Sequence, residues 1–124
     1  QLSQLHGRKH LITGNHDDPW PGNRDSFKYQ KDWLEHFESV QAFARRKIDS
    51  ENVLLSHFPY SADHSAVPRA MQYRLRDQGE ILLHGHTHWK HIQLHGEREI
   101  HIGLDAWDLH PVPMETIQSL VSSM

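Results

Sequence analysis

The sequence predicts an α/β fold whose functional loops gather at the carboxyl ends of neighbouring strands. Three short apolar runs make the case: His10-Leu11-Ile12-Thr13, Asn52-Val53-Leu54-Leu55-Ser56 and Glu80-Ile81-Leu82-Leu83. Each is of strand length, and each runs into a histidine-bearing turn: Gly14-Asn15-His16-Asp17, His57-Phe58-Pro59 and His84-Gly85-His86-Thr87-His88. In open α/β sheets, ligands bind outside the carboxyl ends of the strands. If the three strands are neighbours, Asn15, His16, His57, His86 and His88 meet at one edge.

Residues 2–5 read as the tail of a helix stopped by Gly7, and residues 8–13 as a buried strand. The loop 18–23 is marked by two prolines and a glycine. Its Trp20 either covers the site or, the favoured reading, packs on the core. Trp33, Leu34 and Phe37 at helical spacing predict a short amphipathic helix over 28–37. Val40, Ala42 and Ala44 alternate with Gln41, Phe43 and Arg45, which predicts a strand hairpinned to 53–56 across residues 49–52. Residues 61–68 form an irregular loop and 70–77 a weak helix or turn. Arg69, Arg74 and Arg76 read as an exposed face in preference to a phosphate contact. Gly79 breaks the chain before the strand that ends at His84. Residues 91–95 and 99–103 read as a β-hairpin. Pro113 opens a final helix whose apolar face is Met114, Ile117, Leu120 and Val121.

The length of 124 residues suits one domain, 1–124. A net charge of -3 and the lack of a basic stripe argue against a nucleic-acid-binding module, leaving nucleic acid only as a substrate. With no cysteine, neither a disulfide framework nor a thiolate zinc site is available. No apolar run approaches membrane-spanning length, so a cytoplasmic protein without a membrane partner is expected. Thirteen histidines are many for this length. They are dispersed rather than consecutive; His36, His64 and His95 read as surface residues.

His84, His86 and His88 alternate, so in extended backbone their side chains point the same way. Gly85 permits a sharp turn or a close approach of backbone to a bound group. Imidazoles from these turns, with the Asn15 carbonyl oxygen, make a mixed N/O donor set that suits Mn²⁺, Fe, Zn²⁺ or Ni²⁺ better than Ca²⁺. His16, beside Asn15, would sit near such a metal without binding it. Asp17 would orient an imidazole. An oriented histidine beside a metal-bound water is the apparatus of metal-assisted hydrolysis.

Gly14-Asn15-His16-Asp17, Ser56-His57 and Gly85-His86-Thr87-His88, in this order and spacing, resemble the later motifs of the calcineurin-like metallophosphoesterase family. The stretches around Arg74-Leu75-Arg76-Asp77, Gly103-Leu104-Asp105-Ala106-Trp107 and Pro111-Val112-Pro113 are similar to a small single-domain branch found in bacteria and their phages. The resemblance implies a four-layer α/β sandwich, a phosphate-ester substrate and two divalent metal ions, Mn²⁺ favoured. It implies that Asn15, His57 and His86 bind the second metal and His88 the first. His16 would assist the leaving group, with Asp17 beside it in the catalytic turn. Monoesters or diesters would be hydrolysed by a hydroxide activated between the two metals.

The chain departs from the family at its start. The family's D-x-H and G-D motifs do not precede Gly14. Two divalent ions bring four positive charges, while the four donors named above bring no negative ones. Asp17, Asp18, Asp105 and Asp108 are available, but nothing in their spacing puts one between two metals. The expectation is an N-terminally truncated domain whose first strands lie upstream. Strands supplied by another chain rank next, and a degenerate, non-catalytic metal-binding or interaction module last.

Overall fold

A computed structural model describes residues 6–63, 65–92 and 98–124. Two sheets carry the turns. β1 (His10–Ile12) pairs in parallel with β2 (Ser39–Gln41). β3 (Phe43–Ile48), β4 (Glu51–Ser56), β5 (Ile81–His84) and β6 (Glu99–His101) form a four-stranded sheet in that order. β3 and β4 are antiparallel; β4, β5 and β6 are parallel. The mixed α/β class is as expected.

Alternation along β4, β5 and β6 divides the larger sheet into two faces. Val53, Ile81, Leu83 and Ile100 face α2 (Met114–Ser122), and join Ile48, Ile117 and Val121 in the buried core. Leu82, Glu99, His84 and His101 take the opposite face through the register Leu82↔Glu99 and His84↔His101. Every residue of β5 is buried, as for a parallel strand covered on both sides. Pro113 caps α2, one residue earlier than a place in the first turn. Ile117 and Val121 are buried, whereas Met114 at the helix start is half exposed.

Several expectations are redrawn. The stretch 40–48 is not one strand: β2 belongs to the smaller sheet, and the chain changes sheets at Ala42. The helix over 28–37 shrinks to a 3-10 turn at Ser26–Tyr29 and one α-turn, α1, at Gln30–Trp33. Neither element buries a residue or has a side-chain cap, and helices this short are marginal without tertiary burial. Glu99–His101 pairs in parallel with β5, and one bond between the two arms of the expected hairpin, 91–95 and 99–103, is present, His101 N donating to Ile92 O. Residues 93–97 lie outside the described residues, as do the helix tail at 2–5, His64 and His95. Among the described residues, no helix is long and apolar enough to cross a membrane.

The β3–β4 hairpin closes through two residues, Asp49 (φ 54°) and Ser50 (φ 68°), with Ile48 opposite Glu51. Left-handed backbone at both central positions is the turn that matches strand twist and favours Asn-Gly. An L-residue there costs about 1–2 kcal/mol, and glycine's extra unfolded entropy takes back about 0.4–1 kcal/mol. Ser50→Gly is therefore predicted to stabilise the fold by about 0.5–1 kcal/mol. A rise in the urea midpoint at unchanged m-value checks it; a fall would show that the turn is not held in this conformation.

Candidate functional site

The turns after β1, β4 and β5 come together, as the sequence suggested, although β1 is not bonded to the larger sheet. Two contacts join them. Gly85 N donates to His57 O at 2.9 Å, linking the ends of β4 and β5. The His57 ring lies against Gly14, where a Cβ would stand 2.7 Å from Nδ1. Glycine at position 14 is thus what admits His57 beside the first turn. Substituting alanine must displace a ring wedged among neighbours.

The Asp17 carboxylate turns back on its own loop. Oδ2 accepts from Gly14 N at 2.7 Å, and Asp17 N donates to Gly14 O at 2.9 Å. Its part here is to close the turn that carries Asn15 and His16, where the sequence suggested it would orient an imidazole. Asn15 is half-buried and His16 exposed on that turn.

The histidines of the third turn do not share one direction. β5 ends at His84, and both His86 (φ 70°) and His88 (φ 57°) are left-handed. The alternation of an extended strand is therefore lost after His84. Gly85 does not have a positive φ, so the bends fall on the histidines themselves. Such non-glycine residues cost of order 1–3 kcal/mol each, and they cluster at functional sites.

Each histidine has a separate environment. His84 is buried and stacks on His101, with centroids 5.3 Å apart and planes 13° apart. His84 Nδ1 lies 3.0 Å from Gly85 O, and His101 Nδ1 lies 3.1 Å from His91 O. Gly103 makes room for the second ring, since a Cβ there would sit 2.6 Å from His101 Nε2. Trp107 Nε1 donates to His101 O at 2.7 Å. His86 is buried 5.2 Å from His57, centroid to centroid, and 4.7 Å from Phe58. His88 stands on the rim with its side chain 75% exposed, its Nδ1 3.1 Å from Asp105 Oδ2.

The sequence did not reveal Asp63. Its carboxylate is fully buried. Oδ1 lies 3.3 Å from both His86 Nε2 and Arg69 Nη2, and Oδ2 accepts from Arg69 N at 2.8 Å and Arg74 Nη2 at 3.0 Å. Arg74 was expected on an exposed face, yet its side chain is 1% exposed. It also donates to the carbonyls of Ala62 (2.6 Å), Pro59 (3.2 Å) and Arg69 (3.1 Å), with its guanidinium over Phe58. A buried guanidinium must be paired, and this one ties the loop after His57 to Asp63. The only sequence signal was an aspartate in an irregular loop with an arginine eleven residues later, a pattern too common to single out.

Burial lowers the pKa of His57, His84 and His86 to about 4 in each case, and that of His101 below its ordinary value. For His57 the nearby His86 and His16 add to the effect, whereas Asp63 opposes it for His86. These imidazoles are neutral at pH 7, the form that binds metals. Between about pH 6.5 and 4 the unfolded chain binds more protons than the folded one. Their contribution to stability is complete above about pH 6.5 and lost as the pH falls toward 4. The prediction is a falling urea midpoint on acidification across that window without added metal. A midpoint that stays level there would mean that the rings are hydrated.

Five buried side-chain atoms among the described residues have no hydrogen-bond partner: Thr13 Oγ1, Asn15 Oδ1, His57 Nε2, His84 Nε2 and Thr87 Oγ1. All five lie at the carboxyl ends of β1, β4 and β5 or in the turns that follow. At the same time, no three His, Cys, Asp or Glu side chains among the described residues are gathered as a group that could hold a metal.

No protein-family model matches the chain, and no solved structure matches it. It is similar to the Gene 66 protein of Mycobacterium phage D29, 45% identical over 126 residues that take in 95% of this chain and 62% of the relative. It is also similar to the Gene 66 protein of Mycobacterium phage L5, 47% identical over 116 residues, 86% of this chain and 56% of the relative. The chain thus spans about three-fifths of the length of these curated relatives.

Proposed function

We propose that the protein is a metal-dependent phosphoesterase of the calcineurin-like type, and that its two sheets are parts of that family's four-layer α/β sandwich. The observation that carries this reading is the set of orphaned atoms. Asn15 Oδ1 and His57 Nε2, two donors that the motifs nominate, are buried without partners. Leaving such groups dry and unpaired costs about 1–3 kcal/mol each, and a divalent ion would satisfy both.

The donor set fits Mn²⁺, Fe, Zn²⁺ or Ni²⁺ in chemistry but brings no charge of its own. Asp63 and Asp105 each stand one imidazole away. If Nε2–H of His86 is donated to Asp63, Nδ1 keeps a lone pair; if Nδ1–H of His88 is donated to Asp105, Nε2 keeps one. Carboxylates placed this way fix the tautomer and strengthen the donor. Metals bound here would polarise a phosphoryl oxygen and lower the pKa of water. The chain's own groups would do the rest. His57, His86 and Asn15 hold the site, Arg69 adds positive charge beside it, and exposed His16 donates a proton to the leaving oxygen.

The test is hydrolysis of p-nitrophenyl phosphate and its bis ester with Mn²⁺, together with calorimetric titration of Mn²⁺. His57→Ala is predicted to lose both metal and turnover. His16→Ala should keep the metal and slow turnover by roughly 10²–10⁴-fold. Equal loss of metal in both variants would overturn these roles. Asp63→Asn is expected to weaken Mn²⁺ binding by about 10–100-fold, provided circular dichroism shows it folded. Unchanged affinity in that variant would remove Asp63 from the site. A second reading, a non-catalytic metal-binding or interaction module, draws on the donor set itself, in which Asn15, His57, His86 and His88 bring no carboxylate to bridge two metals. Mn²⁺ bound without turnover would favour it.

A further inference from the structure

A cavity of about 250 Å³ lies against His57 and Thr13, and much of its lining is aromatic: Trp20, Phe43, Phe58 and Tyr73. Trp20 meets Tyr73 edge-on at 4.9 Å and Phe58 at 6.0 Å, so three rings make one continuous wall. Trp20 is set in place by its own loop. A Cβ at Gly22 would come within 2.2 Å of the indole, so the ring lies directly on that glycine's backbone. Phe58 is buried, but Phe43 and Tyr73 are 54% and 43% exposed around the concavity. Exposed apolar surface collected around a hollow marks a binding site more often than a flat surface does. The polar edge of the hollow belongs to the site already described. Thr13 Oγ1 and His57 Nε2 are buried without partners, and Thr13 is 2% exposed.

Resting on the phosphoesterase reading, we propose that this cavity receives a planar aromatic ring carried by the alcohol part of the phosphate ester, with Trp20 and Tyr73 as specificity-determining side chains. The volume falls below the roughly 300–1,000 Å³ of pockets for drug-sized ligands, so it suits one ring system rather than an extended chain. The neighbouring His57 would place the phosphate end of the same molecule. Stacking on aromatic side chains is worth roughly five- to a hundredfold in affinity for each base and tolerates many ring identities. A nucleobase and a simple aryl group offer the same flat face.

The test separates this proposal from the phosphoesterase reading by using ligands without phosphate. Adenosine, p-cresol and ribose are titrated into the metal-free full chain and followed by calorimetry and tryptophan fluorescence. Adenosine or p-cresol is expected to bind at millimolar concentration and ribose not to. Whichever ring compound binds more tightly identifies the source of the ring. Tyr73→Ala, at a partly exposed position, should weaken ring binding at least fivefold, and Trp20→Phe should weaken it less. If the chain hydrolyses phosphate esters, Tyr73→Ala should raise KM for adenosine 5′-phosphate and leave ribose 5-phosphate unchanged. Ring compounds that bind no better than ribose, or affinities untouched by Tyr73→Ala, would overturn the proposal even if p-nitrophenyl phosphate is hydrolysed.

Discussion

The parallel register of β4 on β5 is the constraint on which the rest depends. Val53, Leu54 and Leu55 stand opposite Ile81, Leu82 and Leu83. That register carries the chain past both strands at the same level, so that Gly85 N reaches His57 O. A slip of one residue would turn Ile81 and Leu83 away from α2 and bring Leu82 to it. It would also carry His84 off the face it shares with His101. The core under α2 and the histidines above the strand ends are therefore fixed by the same pairing.

Two buried carboxylates, Asp63 and Glu99, anchor the segment that follows His57. Asp63 is fully buried and shared among His86, Arg69 and Arg74. Glu99, on the face opposite α2, accepts from Tyr60 N at 2.8 Å, and the Tyr60 hydroxyl donates to Glu80 O at 2.7 Å. Burial, with the charges of Asp77, Glu80 and Glu99, raises the Tyr60 pKa to about 12, so this anchor does not ionise in the ordinary range. Both sets of bonds hold the segment following His57. That segment has no regular hydrogen-bond ladder, so polar side chains must supply its partners. The left-handed backbone at His86 and His88 is sustained in the same way. His86 is clamped by Asp63 beneath, and His88 is met by Asp105 at the rim.

The strand ends were legible because a short apolar run followed by a Gly- or His-bearing turn has few other solutions. The meeting of the turns after β1, β4 and β5 followed from that, whereas the β3–β4 hairpin was read from alternation before residue 49 and the terminal helix from Pro113 and the spacing of Ile117, Leu120 and Val121. What could not be read was direction. Alternation assigned His84, His86 and His88 to one side, but alternation holds only while the backbone stays extended, and it ends at His84. Arg74 was misplaced because composition alone puts arginine in solvent. Its burial is decided by Asp63, a contact across eleven residues of irregular chain. The helix over 28–37 failed for the opposite reason: its spacing was right, but no surface was there to cover its apolar face.

Charge is the last constraint on the candidate site. A divalent ion held only by neutral donors keeps its full charge, which favours release unless anions lie nearby. Here Asp17 is turned back on Gly14 N, and two further carboxylates act through rings, Asp63 behind His86 and Asp105 behind His88. Arg69 and Arg74 offset part of the Asp63 charge. Under the phosphoesterase reading, the missing negative charge falls to the substrate. A phosphate group would complete both the electrostatics and the coordination, so metal and phosphate should strengthen each other's binding, as reciprocal linkage requires. The aromatic cavity beside His57 would then position the rest of the molecule without adding charge, which leaves that balance undisturbed.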